Sequence, residues 1–223
     1  MLMSEKEFAA TERSTIRRLP SRGSYDKAKV YEVLDQGILA HVGFNTSHGP
    51  VVIPMGYARR GDSIILHGSA KSRLLIELAQ GADVCVTVTL LDGLVLARST
   101  FHHSMNYRSV VVFGHSSPIS KPSEKNAALE HLVEHLVPGR GADARGANEG
   151  ELAATLVVEV PITDASLKMR TGPPVDEVRD LKIDVWSGVL PLRFEAGKPV
   201  PDEHTTDDKP VPDYLRHYPA GRL

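Results

Sequence analysis

The sequence predicts a mainly β fold: an antiparallel β-barrel of six or more strands with helices inserted between them. Three observations carry this expectation. Runs rich in β-branched and other apolar residues recur between residues 38 and 169. Short turn signals separate several of them, namely His48-Gly49, Arg60-Gly61-Asp62 and Asp92-Gly93. Helix-periodic segments are few, and they interrupt the strands instead of alternating with them as a βαβ series would. Closing such a sheet into a barrel removes its exposed edges.

Residues 1–23 are polar and carry Arg13, Arg17, Arg18 and Arg22, which suits an arm. Ser24 is placed to cap a helix over residues 25–36, with Ala28, Tyr31 and Leu34 at helical spacing and Gly37 as its stop. Strands follow at 38–44, 51–58 and 63–66. Pro54 inside the second demands a sheet edge, a bulge or the open side of a split barrel. A helix over 74–80 interrupts. The run Val-Cys-Val-Thr-Val-Thr-Leu-Leu at 84–91 is a strand, Asp92-Gly93 reads as a hairpin turn, and 94–100 returns. A strand at 108–116 precedes a helix over 122–136, with Ala128, Leu129, Leu132, Val133 and Leu136 on one face. After a Gly-rich connection, 155–160 is a strand that 165–169 extends. From Ala196 the chain is Pro-rich, acidic and expected to be extended, giving a tail over 196–223.

Composition narrows the function. The 223 residues carry 26 Lys and Arg against 28 Asp and Glu, so the net charge of −2 points to neither a nucleic-acid nor a membrane surface. One cysteine cannot form an internal disulfide, which fits a reducing compartment. No apolar run is long enough to span a bilayer, and the first eight residues do not resemble a secretory signal. A soluble cytoplasmic protein is the expectation.

The most informative stretch is Leu66-His67-Gly68-Ser69-Ala70-Lys71-Ser72-Arg73, where a strand-like run hands over to a helix-like one. Gly68 permits a turn and a close ligand approach. Ser69 is a plausible N-cap, which puts Lys71, Ser72 and Arg73 in the first helical turn. Cations there oppose the helix dipole unless an anion sits among them. A phosphate would accept bonds from free amides, hydroxyls and both cations, each charge-assisted bond being worth about 1.5–3 kcal/mol. A solvated basic turn fits the same residues equally well.

Several segments together resemble the pyridoxamine 5′-phosphate oxidase-like superfamily of FMN-binding split barrels, in its flavin-nucleotide-binding, nitroimidazole-resistance-related branch. They are Gly37-Ile-Leu-Ala-His-Val-Gly-Phe44, Val51-Val-Ile-Pro-Met55, the 66–73 stretch, Asn106-Tyr-Arg-Ser-Val-Val-Val-Phe-Gly114, the helix over 124–138 and Asp184-Val-Trp-Ser-Gly-Val-Leu-Pro191. The resemblance implies an FMN-binding domain over 24–195 and a homodimer with FMN between the subunits. It places Pro54 and Met55 beside the flavin ring, and His67, Gly68 and Ser69 along the ring and ribityl chain. Lys71, Ser72 and Arg73 would hold the phosphate. Ser109, with Tyr107 and Arg108, matches a segment that reaches the cofactor, and Trp186 would approach the ring, from the partner subunit in one arrangement. The C-terminal substrate-binding segment of the authentic oxidase is not found, so the implied activity is that of a flavin-dependent oxidoreductase of unnamed substrate. The resemblance leaves open a non-catalytic flavin-binding module and a haem- or deazaflavin-binding barrel. His41, His67, His102, His103 and His115 are the available axial ligands for a haem.

No catalytic acid or base stands out. His102 and His103 are adjacent and would point to opposite faces of a strand, which argues against a shared metal ion. Arg98 suits a structural ion pair, and Cys85 a small buried apolar position.

Overall fold

The computed structural model describes residues 6–206, 208–219 and 221. Among the described residues ten strands form one sheet in which every pairing is antiparallel: β1 (Gly23–Ser24), β2 (Leu39–Thr46), β3 (Gly49–Arg60), β4 (Ser63–Ser69), β5 (Asp83–Leu96), β6 (Ser104–His115), β7 (Ser117–Pro118), β8 (Thr155–Pro161), β9 (Asp164–Arg170) and β10 (Gly188–Pro191). The strand order is β1-β9-β6-β5-β2-β3-β4-β8-β7, with β10 paired to β5. The sheet stays open yet curls on itself. At Gly114 of β6 an added Cβ would lie 2.9 Å from the Pro161 carbonyl oxygen of β8, a strand to which β6 is not paired. This is the expected antiparallel, helix-interrupted split barrel.

Period-two alternation explains the core. Val42, Tyr57, Ile64, Leu66, Val86, Val88, Val110, Val112, Val158 and Leu167 point into the barrel and are buried. Helix α1 (Lys27–Gln36) closes one end with Val30, Val33 and Leu34. Helix α3 (Pro122–Leu136) lies outside the barrel, packing Ala128 and Leu132 against Ala58, Ile65 and Val157. Two shorter helices, α2 (Arg73–Ala79) and α4 (Glu149–Ala154), flank β4 and β8, and α5 (Asp213–Arg216) is a single turn in the tail. No helix of the described residues is long and apolar enough to cross a membrane.

Four local expectations are corrected. Helix α1 is capped by Asp26, whose side chain accepts from the Lys29 amide at 3.0 Å, and not by Ser24. Asp92-Gly93 makes no hairpin: β5 runs straight through, with a register shift against β6 between Leu91 and Gly93. Turn-forming residues also suit a bulge, and here β10 presses on Gly93, where a Cβ would lie 3.0 Å from the Leu190 carbonyl oxygen. The hairpin return falls later, at the 3₁₀ turn Thr100–His102. Residues 164–170 do not extend β8; they form β9 and pair with β6. Helix α4, set by an Asn148–Glu151 capping box, lies in the connection that the sequence leaves irregular.

The tail folds back on its own chain. Tyr218 Oη donates to the Leu136 carbonyl at 2.7 Å, and the Gly221 amide donates to the Phe194 carbonyl at 2.9 Å.

Candidate functional site

Strands β3 and β4 pair only from Tyr57 opposite Leu66 to Arg60 opposite Ser63. Beyond that point they part. Residues 49–56 of β3 pair with β2 alone, while residues 67–69 of β4 pair with β8 alone. The β4-facing backbone groups of residues 49–56 therefore have no strand partner, which is where Pro54 is tolerated. The opening between the two strands is the split of the barrel, and it runs directly into the 69–73 turn.

His67 sits at this opening. Its ring is half-buried, and its Nδ1 is shielded from solvent without a hydrogen-bond partner among the described residues. Burial lowers its pKa below the ordinary histidine value of 6.5, so the neutral imidazole is the form near pH 7. A buried polar atom without a partner carries an unmet desolvation cost, which a ligand contact at the opening would relieve. Gly68 lies within β4 and has a packing task. Its missing side chain admits Leu75 of α2, whose Cδ2 would stand 3.0 Å from an added Cβ.

The helix start also differs in detail. Its N-cap is Ser72, not Ser69, so Lys71 and Ser72 precede the helix and Arg73 is its first residue. The turn is braced from within: the Ala70 amide donates to the Ala154 carbonyl at 2.8 Å, Lys71 to Ser69 Oγ at 3.2 Å and Ser72 to the Ser69 carbonyl at 2.9 Å. The first intrahelical bond runs from the Ile76 amide to the Ser72 carbonyl. The amides of residues 73–75 consequently have no intrahelical acceptor, and the Ser72 side chain does not cap them. Lys71 and Arg73 are exposed and have no ion-pair partner among the described residues. Three amides, a hydroxyl and two cations thus surround the end of the split. This donor set fits a phosphoryl group, and the parted strands with the unsatisfied His67 fit an elongated ring system beside it.

Pro54 and Met55 therefore lie on one strand of the split, and His67, Gly68, Ser69, Lys71, Ser72 and Arg73 on the other strand and the turn that follows it. Ser109 and Trp186 lie elsewhere. Ser109 lies on β6, with three strands between it and β4, on the outer face of the sheet, where its Oγ is 2.8 Å from Thr89 Oγ1 and it faces Lys168 of β9. Trp186 is 65% exposed in the segment leading to β10, its ring against Gly188. The outer face extends over five strands, through Ser166, Val111, Thr87, His41 and Pro54 in one row. A parallel row carries Asp164, Phe113, Cys85, Gly43 and Val52, the last 62% exposed.

The histidines are scattered. His41 stands on the outer face, His115 is 3.4 Å from Asp83, His102 is 3.7 Å from Glu177, and His103 Nδ1 is 2.9 Å from the Ser99 carbonyl oxygen. Among the described residues no group of three His, Cys, Asp or Glu side chains is placed to hold a metal ion. Arg98 is structural: its guanidinium and its amide both bond Asp176, each at 2.8 Å. Sequence reasoning missed Thr89 and Lys168, although their alternation with apolar neighbours in β5 and β9 placed them on the face of Ser109.

Comparison with known proteins agrees with this architecture. The chain is 37% identical to the flavocytochrome Anf3 from Azotobacter vinelandii, over 94% of this chain and 97% of that one, with a TM-score of 0.87. It is 36% identical to a FAD and haem binding protein from Mycobacterium smegmatis, over 87% and 96%, with a TM-score of 0.84. A candidate 5-nitroimidazole antibiotic resistance protein from Bacteroides thetaiotaomicron shares the fold at 24% identity and a TM-score of 0.56, over 66% of this chain and 85% of that one. No curated protein matches significantly. The family profile described as pyridoxamine 5′-phosphate oxidase matches residues 26–169, and the chain belongs to that family.

Proposed function

We propose that this protein is a flavin-dependent oxidoreductase that binds FMN at the opening between β3 and β4. The observation that carries the reading is the coincidence, at one end of the split, of the His67 ring nitrogen with the start of α2 and with Lys71 and Arg73, none of which has a side-chain partner among the described residues. Bound there, the flavin would supply hydride or electron transfer. Lys71, Ser72, Arg73 and the amides of 73–75 would hold its phosphate. The unpaired backbone of β3 around Met55 would meet the polar edge of the ring, and neutral His67 would lie along it.

The functional unit under this reading is a homodimer with both cofactors at the subunit seam. Support comes from the outer sheet face, which exposes Val52, Leu39 and Leu91, and from the apolar segment carrying Val178, Leu181, Ile183, Val185 and Trp186. In a two-fold pair the hydroxyl row of Ser109 and Thr89, and Trp186, would reach the partner's cofactor. The test is the absorption spectrum and mass of the cofactor released from the purified protein. Absence of any flavin overturns the reading. Stopped-flow mixing with NADH and NADPH separates an oxidoreductase, whose flavin bleaches, from a sequestering module, whose flavin does not.

A second reading adds haem. It is favoured by the names of the two relatives that span nearly the whole chain and by His67, the one histidine of the described residues with a buried, unpartnered ring nitrogen. A Soret band beside the flavin bands would mark it, and a deazaflavin would show neither pattern.

A further inference from the structure

Arg170 ends β9 with 8% of its surface exposed, and no carboxylate among the described residues pairs with it. Its guanidinium bonds go to neutral acceptors: Asn106 Oδ1, the Gly172 carbonyl at 3.1 Å and the Pro173 carbonyl at 2.9 Å. Buried charges are ordinarily paired. Instead, beside the cost of its burial, a charge of the same sign acts on Arg170: Arg22, delivered by the 3₁₀ turn Pro20–Arg22, which packs against β9. Lys168 stands two residues before Arg170 on the same face of β9, opposite Gly23, and its Nζ donates to the Arg18 carbonyl at 3.0 Å. Neither Arg22 nor Lys168 has an ion-pair partner among the described residues. The site opens beside Ser109, which faces Lys168 across β6 and β9. Along the sheet, four strands separate β9 from β4 and the Lys71–Arg73 turn.

We propose that Arg22, Lys168 and Arg170 form a second oxyanion site, separate from the Lys71–Arg73 turn, that takes the phosphoryl or carboxylate group of a substrate or electron donor. Arg22 and Lys168 stand at the strand that buried Arg170 ends, so an anion there would offset like charges, and planar guanidinium groups match either oxyanion. The inference does not depend on which cofactor occupies the split.

The test is isothermal titration of the purified full-length protein, with whatever cofactor it retains, at low salt. Inorganic pyrophosphate probes the phosphoryl class and malonate the carboxylate class. Saturable binding of at least one is expected, and the better ligand names the class. The double variant Arg22→Gln/Lys168→Gln is expected to bind that probe at least tenfold more weakly, whereas Lys71→Ala/Arg73→Ala keeps the site. Arg22 and Lys168 lie outside the apolar core, and Lys168→Arg, which retains the charge, is expected to bind like the parent. Equal binding by the parent and Arg22→Gln/Lys168→Gln overturns the proposal. So does loss of all binding in Lys71→Ala/Arg73→Ala. Absence of binding of either probe to the parent overturns it as well, and would leave a carboxylate of the partner subunit as the counter-charge.

Discussion

Tyr57 stands opposite Leu66, and this pair is the last rung of the ladder between β3 and β4. Both side chains are fully buried in the barrel. Tyr57 is fixed further by its hydroxyl, which donates to the Leu34 carbonyl at 2.6 Å and so ties the rung to the end of α1. The opening that holds the candidate site thus begins at a buried, hydrogen-bonded rung. Tyr57→Phe removes the donor and leaves a buried carbonyl short of a partner. A loss of stability of about 1–3 kcal/mol is expected in chemical denaturation; unchanged stability would show that the bond contributes nothing.

The basic turn makes the second prediction. Lys71→Ala/Arg73→Ala removes two charge-assisted contacts, each worth about 1.5–3 kcal/mol. Flavin retention should weaken by about a hundredfold or more, since about 1.4 kcal/mol is a factor of ten. Both side chains are exposed, so the melting temperature of the cofactor-free protein should not move. A variant that purifies as yellow as its parent would relocate the phosphate.

At Gly68 the prediction concerns packing. A Cβ there would stand 3.0 Å from Leu75 Cδ2 and 3.3 Å from its Cγ, and Leu75 is itself buried. Gly68→Val is expected to destabilise by about 1–3 kcal/mol through overpacking, with α2 displaced from β4 and flavin affinity reduced. Full stability in urea would argue that the helix shifts freely.

His67 gives a pH dependence with a definite sign. Its folded-state pKa lies below the unfolded value of about 6.5 because burial disfavours the imidazolium. Below pH 6.5 the unfolded chain therefore binds the proton more readily than the folded one. Its contribution to stability is complete above that pH and is lost as pH falls through the lowered value. His67→Leu should flatten this part of the stability curve between pH 7 and pH 5, measured without cofactor. A curve of the same shape in the variant would mean that His67 is not its source.

What the sequence by itself determined is the set of elements whose signals are local. The helix over 122–136 is legible because its apolar residues repeat at helical spacing, and β2, β3, β5 and β6 because alternation and β-branching persist over many residues. The strand-to-helix turn at 66–73 is legible because residue type and order carry its chemistry. The tertiary structure alone decided which strands pair. Turn chemistry at Asp92-Gly93 suits a hairpin or a bulge, and the arrival of β10 against Gly93 selects the bulge. Nothing local distinguishes an N-cap at Ser69 from one at Ser72; the bond from Ala70 to Ala154 of α4 settles it. Arg22 lies roughly 150 residues before Lys168 and Arg170 in the chain and comes to their strand only because β1 pairs with β9. Spacing along a strand or helix is set by backbone geometry that every residue shares. Proximity between distant segments depends on which buried surfaces fit together, and that is a property of the whole chain.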